Sequence, residues 1–527
     1  MSGKGESESH WRDAETLETM DLPQTAAVVR VPALTILYHA DLTRVGQQCR
    51  LVSLQLGKSA ALSRLEPIFA PVGQTRGAPL SDPRLSRRPI VLSPSRTGGI
   101  QLDGRSTSIS MTVDGAPVNG VCEVASERLD VGVVLTLKSQ CVLLLHRLGA
   151  PITPGDEFGM VGHSEAMHSL RSEVSRVADL DVPVLLRGES GSGKELVARA
   201  IHARSGRASS PFVPVNMAAI NTTTAASELF GHVRGAFTGA NREHGGFFGR
   251  ANGGTLFLDE VGELSPEVQV MLLRALESGE IQPVGGASAR RVDVRFIAAT
   301  DSDLEQATLD GAFRVPLFHR LAGYQVVTPP LRDRLDDIAR LFVHFLRAEL
   351  EQVRESHRLE AAVEGQTPWL PASLMCRLVR YTWPGNVRQL RNVARQLVIA
   401  SRGRDQIQVD ETVERLLRDL ALPAHDTAPV SPVALKRRPR EIGEDELIET
   451  LRAQAWRLGP TAAALGMSRT TLYGLIERSS RIRKARDLSA GEIQEALGQF
   501  GGDSADAAAH LEVSHRGLKL RMKELGI

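Results

Sequence analysis

The fold is decided by residues 181–195, which read DVPVLLRGESGSGKE. The apolar first half predicts a buried strand, and the pattern after Lys194 predicts a helix. Between them lies a G-x-x-x-x-G-K loop, whose glycines let backbone N–H groups close around phosphate oxygens while Lys194 reaches the β- and γ-phosphates. The motif normally ends in Ser or Thr, and Glu195 stands there instead. We expect these residues to bind a nucleotide: Gly188, Glu189, Ser190, Gly191, Ser192, Gly193, Lys194 and Glu195.

A second motif supplies the carboxylates that hydrolysis needs. Residues 253–260, GGTLFLDE, predict an apolar strand that ends in Asp259 and Glu260. Such a strand can place Asp259 beside a magnesium ion and leave Glu260 to orient and deprotonate an attacking water. In isolation the segment would be an ordinary strand end with solvated acids. Because both motifs stand in the right order in one region of alternating strands and helices, they predict an α/β ATPase with ATP and Mg²⁺ as cofactors.

The segment between these motifs carries a family resemblance. Residues 228–240, ELFGHVRGAFTGA, resemble the signature loop of sigma-54 activators, the bacterial enhancer-binding proteins of the AAA+ class. The alternative to a signature loop is an ordinary glycine-rich surface hairpin. The resemblance runs from about 161 to 399 and implies an enzyme that uses ATP to remodel sigma-54 RNA polymerase. It also implies a set of sigma-54 contacts: Gly235, Ala236, Phe237, Thr238, Gly239 and Ala240.

The same resemblance implies further roles in the ATP site. Asn216 resembles the switch residue that holds the catalytic glutamate, and Thr300 resembles the sensor. Asp301 follows Thr300 where the family usually has Asn, and Arg388, in WPGNVR, resembles the lid residue that contacts nucleotide. The family also carries Glu after the P-loop Lys, so Glu195 fits it.

Two arginines resemble fingers that complete the site of a neighbouring subunit. Arg314 and Arg320 stand where the family has them, and the guanidinium fork suits phosphate oxygens. A surface salt bridge is the usual alternative for such an arginine. Pro316, which lies between them, could shift this helix. Fingers that act between subunits imply a homo-oligomer, from a dimer up to a hexameric ring.

The tail contains an internal repeat. Residues 447–477 align without gaps on 493–523 at a constant offset of 46 residues (447 to 493), and each copy resembles the Fis-type helix-turn-helix. The second helix of that motif enters the major groove of DNA. The candidate contacts to enhancer DNA are Arg469, Thr470 and Tyr473 in the first copy, and His515, Arg516 and Lys519 in the second. Helical hairpins with solvated basic faces remain an alternative, and whether both copies bind DNA stays open.

The N-terminal region predicts a β-sandwich. Short apolar runs between about 31 and 148 alternate with turn signals. The segments around Leu62–Pro67, Asp82–Pro89 and Val113–Gly120 resemble a forkhead-associated domain, which binds phosphothreonine. By position Arg64 and Ser86 would contact phosphate, with Arg87 nearby, and the partner would be a phosphothreonine-bearing kinase or regulator. Pro89 and Asp114 depart from that pattern, so a sandwich that acts by protein contact alone remains open.

Composition limits the remaining choices. The chain has 527 residues, 42% of them hydrophobic and 24% charged, with a net charge of +1, so any basic surface is local. The four cysteines form no C-x-x-C pair, which argues against a zinc ribbon or redox dithiol. The sequence shows neither a signal peptide nor an apolar run that could span a bilayer. We therefore expect free thiols, no membrane and a cytoplasmic location.

These observations predict a multidomain protein: a sandwich, an AAA+ P-loop ATPase with a helical lid, and an all-α tail with two helix-turn-helix copies. The expected boundaries are 1–30 disordered, 31–148 sandwich, 149–159 linker, 160–330 ATPase, 331–402 lid, 403–440 linker, and 441–480 and 487–527 for the two copies. Two other classes of protein fit parts of this pattern. A DNA-binding regulator whose ATPase only assembles it is disfavoured by the intact Gly235–Ala240 loop. A phosphopeptide adaptor with an inactive motor is disfavoured by Lys194, Asp259 and Glu260.

Overall fold

The structure is a computed structural model that forms two compact units, Met1–Ala424 and His425–Ile527. The residues it describes are 30–118, 120–151, 155–360, 368–419, 444–454, 481–500 and 504–525, with single positions between 456 and 479. None of the helices in this described part combines the length and apolarity that a membrane span requires.

The described residues of the N-terminal region, 30–118 and 120–151, form ten strands and two short α-helices. The strands are β1 Val31–Tyr38, β2 Gln48–Arg50, β3 Ala60–Leu62, β4 Ile90–Pro94, β5 Ile100–Asp103, β6 Met111–Val113, β7 Ala116–Val118, β8 Val121–Val124, β9 Val133–Leu137 and β10 Cys141–Leu148. The helices are α1 Val52–Gln55 and α2 Ser126–Val131. The strands form a six-stranded sheet in the order β2-β1-β10-β9-β6-β7 and a four-stranded sheet in the order β3-β4-β5-β8. All pairings are antiparallel.

Both faces of the six-stranded sheet are buried. Leu143 and Leu145 of β10 point into a core shared with Leu92 and Leu102 of the four-stranded sheet, so the two sheets pack face to face. The alternate side chains belong to a different cluster, made with the helices that follow the ATPase region. Two antiparallel sheets are what the sequence led us to expect, while the forkhead-associated identity stays a prediction.

The ATPase region is an α/β layer structure. Its strands are β11 Val184–Arg187, β12 Phe212–Asn216, β13 Thr255–Asp259, β14 Glu280–Ile281, β15 Arg290–Arg291, β16 Arg295–Thr300 and β17 Tyr324–Val327. Its helices are α3 Glu165–Val177, α4 Lys194–Ala203, α5 Ala225–Phe230, α6 Gly246–Arg250, α7 Pro266–Ser278, α8 Leu304–Leu309 and α9 Val315–Leu321. Five strands pair in parallel in the order β12-β13-β16-β11-β17, with apolar clusters on both faces. The carboxyl ends of parallel strands meet at one edge, so Asp259 and Thr300 lie beside the P-loop edge of the sheet.

The α-helices that the structure describes between 335 and 419 form a lid: α10 Leu335–Gln352, α11 Ala372–Arg380, α12 Asn386–Ala400 and α13 Glu411–Asp419. Helix α13 packs on this bundle through the buried side chains of Val413 and Leu417. The sequence pattern predicts a linker over 403–440, but the packed part of the chain continues to Asp419. The single buried face of α13 is too short a pattern to separate a lid helix from an amphipathic linker.

The tail is a separate unit with two small cores. Its described helices are α14 Glu444–Ala453, α15 Ala490–Gln499, α16 Ser504–His510 and α17 His515–Leu525. The first core includes Leu447, Ala462 and Leu472, and the second includes Ile493, Ala508 and Leu518, which are the corresponding positions 46 residues on (447 to 493). Ser514 accepts a hydrogen bond from the Gly517 backbone N–H at 3.1 Å, as an N-cap at the start of α17 would. The repeat in the sequence is therefore also a repeat of buried positions.

Candidate functional site

The P-loop joins β11 to α4. Lys194 begins α4 and is only 6% exposed; its Nζ donates a hydrogen bond to the Gly188 carbonyl at 2.8 Å. Gly188 has φ +153°, and a Cβ there would lie 2.0 Å from Thr328 Oγ1, so no other residue fits without a shift. The N-terminus of α4 and the Lys194 ammonium thus face the same loop, as a triphosphate requires.

The lid contacts this loop through the first turn of α12. Asn386 Nδ2 donates to Glu189 Oε2 and to the Ser190 carbonyl, both at 3.1 Å. Arg388 donates to Ser190 Oγ at 3.1 Å and so lies beside the P-loop, while its contact with nucleotide stays a prediction. Arg332 grips Glu189 with two hydrogen bonds of 2.6 and 2.8 Å, and these hold the pKa of Glu189 below its ordinary value.

Sequence reasoning missed Asn386 and Arg332 as parts of this site. Asn386 is fully buried, adopts a left-handed conformation with φ +50°, and also accepts the Leu331 backbone N–H at 2.8 Å. An Asn after Pro-Gly is a signal for such a conformation, because its short polar side chain tolerates it. Nothing in the local sequence indicates that its amide reaches the P-loop.

The two carboxylates at the end of β13 lie next to Lys194. The Glu260 Oε1 is 4.0 Å from Lys194 Nζ, and Asp259 Oδ1 accepts the Glu260 backbone N–H at 3.1 Å. Burial raises the pKa of both Asp259 and Glu260, while the Lys194 charge lowers it. The neighbouring Asp301 raises the pKa of Glu260 further by its charge and a side-chain hydrogen bond. Glu260 also has φ +56°, a strained conformation for this residue that positions its side chain.

Asp259 fits a magnesium ion by its chemistry. In ATP sites Mg²⁺ is held by one or two carboxylates together with phosphate oxygens rather than by a cage of protein ligands. Asp259 is a partly buried carboxylate beside the P-loop, with one oxygen engaged by the Glu260 N–H. The described residues contain no cluster of three or more His, Cys, Asp or Glu side chains that could hold a metal ion.

Thr300 and Asn216 occupy neighbouring strand ends. Thr300 is 1% exposed; its carbonyl accepts the Gly188 N–H at 3.3 Å and its hydroxyl accepts the Ser302 N–H at 3.0 Å. Asn216 lies opposite Asp259 in the sheet register. Its side-chain oxygen caps the following turn by accepting the Ala218 N–H at 2.9 Å, so its role as a switch for Glu260 stays a prediction.

Arg314 and Arg320 lie at the surface rather than in the site of their own subunit. Arg314 is exposed at the start of α9, and Arg320 contacts Glu277 of α7 at 3.6 Å. Pro316 falls in the first turn of α9, where its missing N–H costs no helical hydrogen bond, so it does not break this helix. Exposed guanidinium groups suit a site that a neighbour completes, and the finger role stays a prediction.

The loop Gly235–Ala240 is a tight hairpin with an exposed aromatic tip. The Gly235 N–H donates to the Ala240 carbonyl at 2.9 Å, and Phe237 is 46% exposed. The Phe237 ring rests edge-on against His232, with centroids 5.0 Å apart. The base is tied to a second loop, because the Val233 N–H donates to the Val284 carbonyl at 3.2 Å.

The N-terminal candidates are brought together by the long loop between β3 and β4. The Arg64 backbone N–H donates to the Ser86 carbonyl at 3.2 Å, and Ser86 Oγ accepts the Arg88 N–H at 3.0 Å. Arg87 is exposed beside them. Asp114, whose charge would repel phosphate, forms an ion pair with Arg128 and accepts the Val134 N–H at 2.9 Å, so its carboxylate is already engaged.

The DNA candidates are described only in part. Arg469, Thr470 and Tyr473 lie outside the described residues. His515, Arg516 and Lys519 fall in α17, and the side chain of Lys519 is exposed.

Two family models and several curated proteins match this chain. Residues 160–327 match the family model of the sigma-54 interaction domain, and residues 332–421 match that of the AAA+ ATPase lid domain. The transcriptional regulatory protein ZraR of Klebsiella oxytoca is 40% identical over 326 residues, which are 62% of this chain and 70% of that protein. The nitric oxide reductase transcription regulator NorR1 of Cupriavidus necator is 40% identical over 412 residues, 72% and 77% of the two chains. The crystal structure of NtrX from Brucella abortus in complex with ATP aligns with TM-score 0.42 and 32% identity over 70% of each chain.

The fold and the site define an AAA+ ATPase with a helical lid: a P-loop, a strand-end carboxylate pair and lid residues that reach the same loop. The chain belongs to the sigma-54-dependent transcriptional regulators, the family of ZraR and NorR. Membership implies interaction with sigma-54 RNA polymerase and self-association.

Proposed function

We propose that this protein uses ATP hydrolysis to remodel the closed promoter complex of sigma-54 RNA polymerase, while its tail holds it on enhancer DNA. The observation that carries the proposal is the exposed Phe237 on a hairpin of the ATPase region. The half-exposed Phe237 ring offers an apolar contact at the loop tip, and the Thr238 hydroxyl beside it offers a hydrogen bond to a partner. The loop is thus suited to grip a protein.

Each residue of the ATP site has its own role in hydrolysis. The P-loop N–H groups and Lys194 bind the β- and γ-phosphates, with Thr300 against the loop and Arg388 from the lid. Asp259 would hold magnesium, which neutralises phosphate charge when bound. Glu260 orients the attacking water and accepts its proton, which requires the ionised carboxylate. Asn216, at the adjacent strand end, would switch Glu260 between waiting and active positions.

The site is completed by a second copy of the chain. Arg314 and Arg320 are exposed at the end of the ATPase region that holds α7 and α9, where they can reach the phosphates bound by a neighbour. Their fixed fork stabilises the charge that develops on the transferred phosphoryl group. Such a site works only in an oligomer, from a dimer to a hexameric ring.

A short connection in the chain can couple ATP hydrolysis to movement of the Gly235–Ala240 loop. Asn216 ends β12 and caps the turn Met217–Ala219, and α5 and the Gly235–Ala240 loop follow in the chain. A change in the Asn216–Glu260 relationship would shift this turn, and the tie between Val233 and Val284 would pass the shift to the base of the loop.

The test separates hydrolysis from its output. Phe237→Ala should hydrolyse ATP at the wild-type rate and fail to open a sigma-54 promoter complex, measured by transcription from a supercoiled template. Leu309→Ala is the matched control, since Leu309 is a 77% exposed apolar residue elsewhere in the same region. Full activation by Phe237→Ala would contradict the proposal.

For the tail, we propose that both helix-turn-helix copies bind DNA, since each has its own core at equivalent positions. Arg469→Ala and Arg516→Ala should each weaken binding to an enhancer fragment and flatten its salt dependence, measured by fluorescence anisotropy. Arg452→Ala, which removes an exposed ion pair with Glu512 of the other copy, serves as the control. If only one of the two substitutions weakens binding, the other copy has a packing role.

For the N-terminal region, we propose recognition of a phosphothreonine protein by Arg64, Ser86 and Arg87. The proposal is supported by the hydrogen bond that places Arg64 beside Ser86. A phosphothreonine peptide library should bind the wild type, and Arg64→Ala should abolish binding. Arg96→Ala, an exposed arginine on the β4–β5 turn, should not change it. Equal binding of phosphorylated and unphosphorylated peptides would leave protein contact alone as the role of this region.

A further inference from the structure

The outer face of the six-stranded sheet is covered by the lid. Tyr38, Val134, Val142 and Leu144 are at most 3% exposed and belong to one hydrophobic cluster with the lid helices. Strands β1, β9 and β10 contact α11, and β1 also contacts α10. Neighbouring side chains on the same strands, such as Leu135 and Leu143, point the other way into the sandwich. The lid therefore takes the place that solvent has on one face of most antiparallel sheets.

Polar contacts fix the register of this interface. The Tyr38 hydroxyl donates to the Leu370 carbonyl, and burial raises the pKa of Tyr38 to about 12, which keeps it a neutral donor. The Thr136 hydroxyl donates to Cys376 Sγ at 3.6 Å. Gly115 lies close against Arg380. A Cβ at this glycine would be 2.5 Å from the guanidinium, so a larger residue would not fit without a shift.

The helix that receives the sheet leads directly into the turn that holds the P-loop. Helix α11 ends at Arg380, and the fully buried Trp383 ties the following turn back to it by donating from Nε1 to the Leu378 carbonyl at 2.8 Å. Gln389 of α12 donates to the Tyr381 hydroxyl at 3.2 Å. Helix α12 begins directly after this turn, and Asn386 and Arg388 of its first turn donate hydrogen bonds to Glu189 and Ser190.

We propose that the outer face of the N-terminal sheet is a positioning element of the ATP site, holding α11 so that Asn386 and Arg388 stay on the P-loop. Removing the sheet would expose the apolar face of α11, and the turn that follows would lose its fixed base. ATP would then bind less tightly, while the groups that perform hydrolysis would be unchanged. By linkage, ATP must in turn strengthen the docking of the sheet. The inference rests on the assignment of the ATP site made above.

The main test uses two charge substitutions in the full chain, one on each sheet. Val134→Glu puts a carboxylate against the lid, and Val121→Glu puts one on β8 of the other sheet, where Val121 is 40% exposed. Val134→Glu should raise the KM for ATP at least fivefold with kcat within twofold, and Val121→Glu should change neither. Val134→Ile keeps the apolar contact and should therefore have the wild-type KM for ATP. Loss of ATPase in Lys194→Ala checks the site assignment separately.

Two further measurements cover the case in which Val134→Glu does not fold. Tyr38→Phe keeps the ring and removes only the hydrogen bond to Leu370, and it should raise the KM by about twofold. Thr136→Cys faces Cys376, and the two thiols should form a disulfide on mild oxidation, faster with ATP bound than without. An unchanged KM in a folded Val134→Glu or in Tyr38→Phe, or a disulfide rate that ignores ATP, would overturn the proposal.

Discussion

The two large sheets of this protein are both buried on both faces, but for different reasons. The parallel sheet of the ATPase is covered by helices that alternate with its strands in sequence. The six-stranded N-terminal sheet is covered on one face by the second sheet and on the other by lid helices that come much later in the chain. The first arrangement leaves the polar carboxyl edge of the sheet open for chemistry. The second forms an apolar interface between the N-terminal sheet and the lid helices. The difference separates what a local motif encodes from what only tertiary packing supplies.

The largest effect should be confined to the ATPase sheet. Glu260→Gln removes the base that accepts the proton of water, and hydrolysis should fall by about 10²–10⁴-fold, measured as phosphate release at saturating ATP. The far-UV circular dichroism and the docking of the N-terminal sheet should not change. Glu263→Gln is the matched control, because Glu263 is an exposed acid three residues further on. Substantial hydrolysis by Glu260→Gln would move the catalytic role to another residue.

A second prediction tests whether both faces of the N-terminal sheet count toward stability. Leu143 faces the sandwich and Leu144 faces the lid, with exposures of 0% and 1%. Leu143→Ala and Leu144→Ala should therefore each lower the free energy of unfolding by about 2–5 kcal/mol, measured by urea denaturation. On a sheet with one solvated face, Leu144→Ala would have almost no effect on the free energy of unfolding. That result would contradict the packing of the lid on the second face.

Much of the ATP site could be predicted from sequence because it is built from contiguous motifs. Lys194, Asp259 and Glu260 lie together as the loop and strand-end patterns require, and Arg388 reaches the P-loop. Asn386 and Arg332 were missed because their contacts join segments far apart in the chain. Whether Asn216, Arg314 and Arg320 act as expected depends on nucleotide and on a second subunit.

The N-terminal fold shows the same limit. The alternation of apolar runs and turns predicted the two antiparallel sheets, but the run from Cys141 to Leu145 has no polar alternation, and the reason is the lid. A continuous apolar strand indicates burial on both faces without saying what covers the second. The same ambiguity hid α13, whose buried side chains pack on the lid bundle, including its sequence neighbour α12.

A third prediction concerns acid. His146 is a buried residue of β10 whose Nε2 is 2.8 Å from Thr35 Oγ1, and burial lowers its pKa from 6.5 to about 4. Since the unfolded chain binds this proton more readily, stability should fall as the pH drops from 6.5 to 4, by at most about 1.4 kcal/mol per pH unit. His146→Gln should flatten that slope in urea denaturation series at several pH values. Parallel slopes would show that other groups govern the acid sensitivity of this sheet.

The smallest effect tests how independent the ATP site is of residues outside its motifs. Burial raises the pKa of Glu260 first, and the charge of Asp301 raises it further. Because only ionised Glu260 can accept a proton, kcat should rise with pH through this pKa. Asp301→Asn removes the like charge and should move the acidic limb of the kcat–pH profile to lower pH, with the alkaline plateau unchanged. Asp405→Asn, an exposed carboxylate of the lid, is the control. If the acidic limb of the profile did not move, burial alone would raise the pKa of Glu260. That pKa would then follow from the strand-end motif without Asp301.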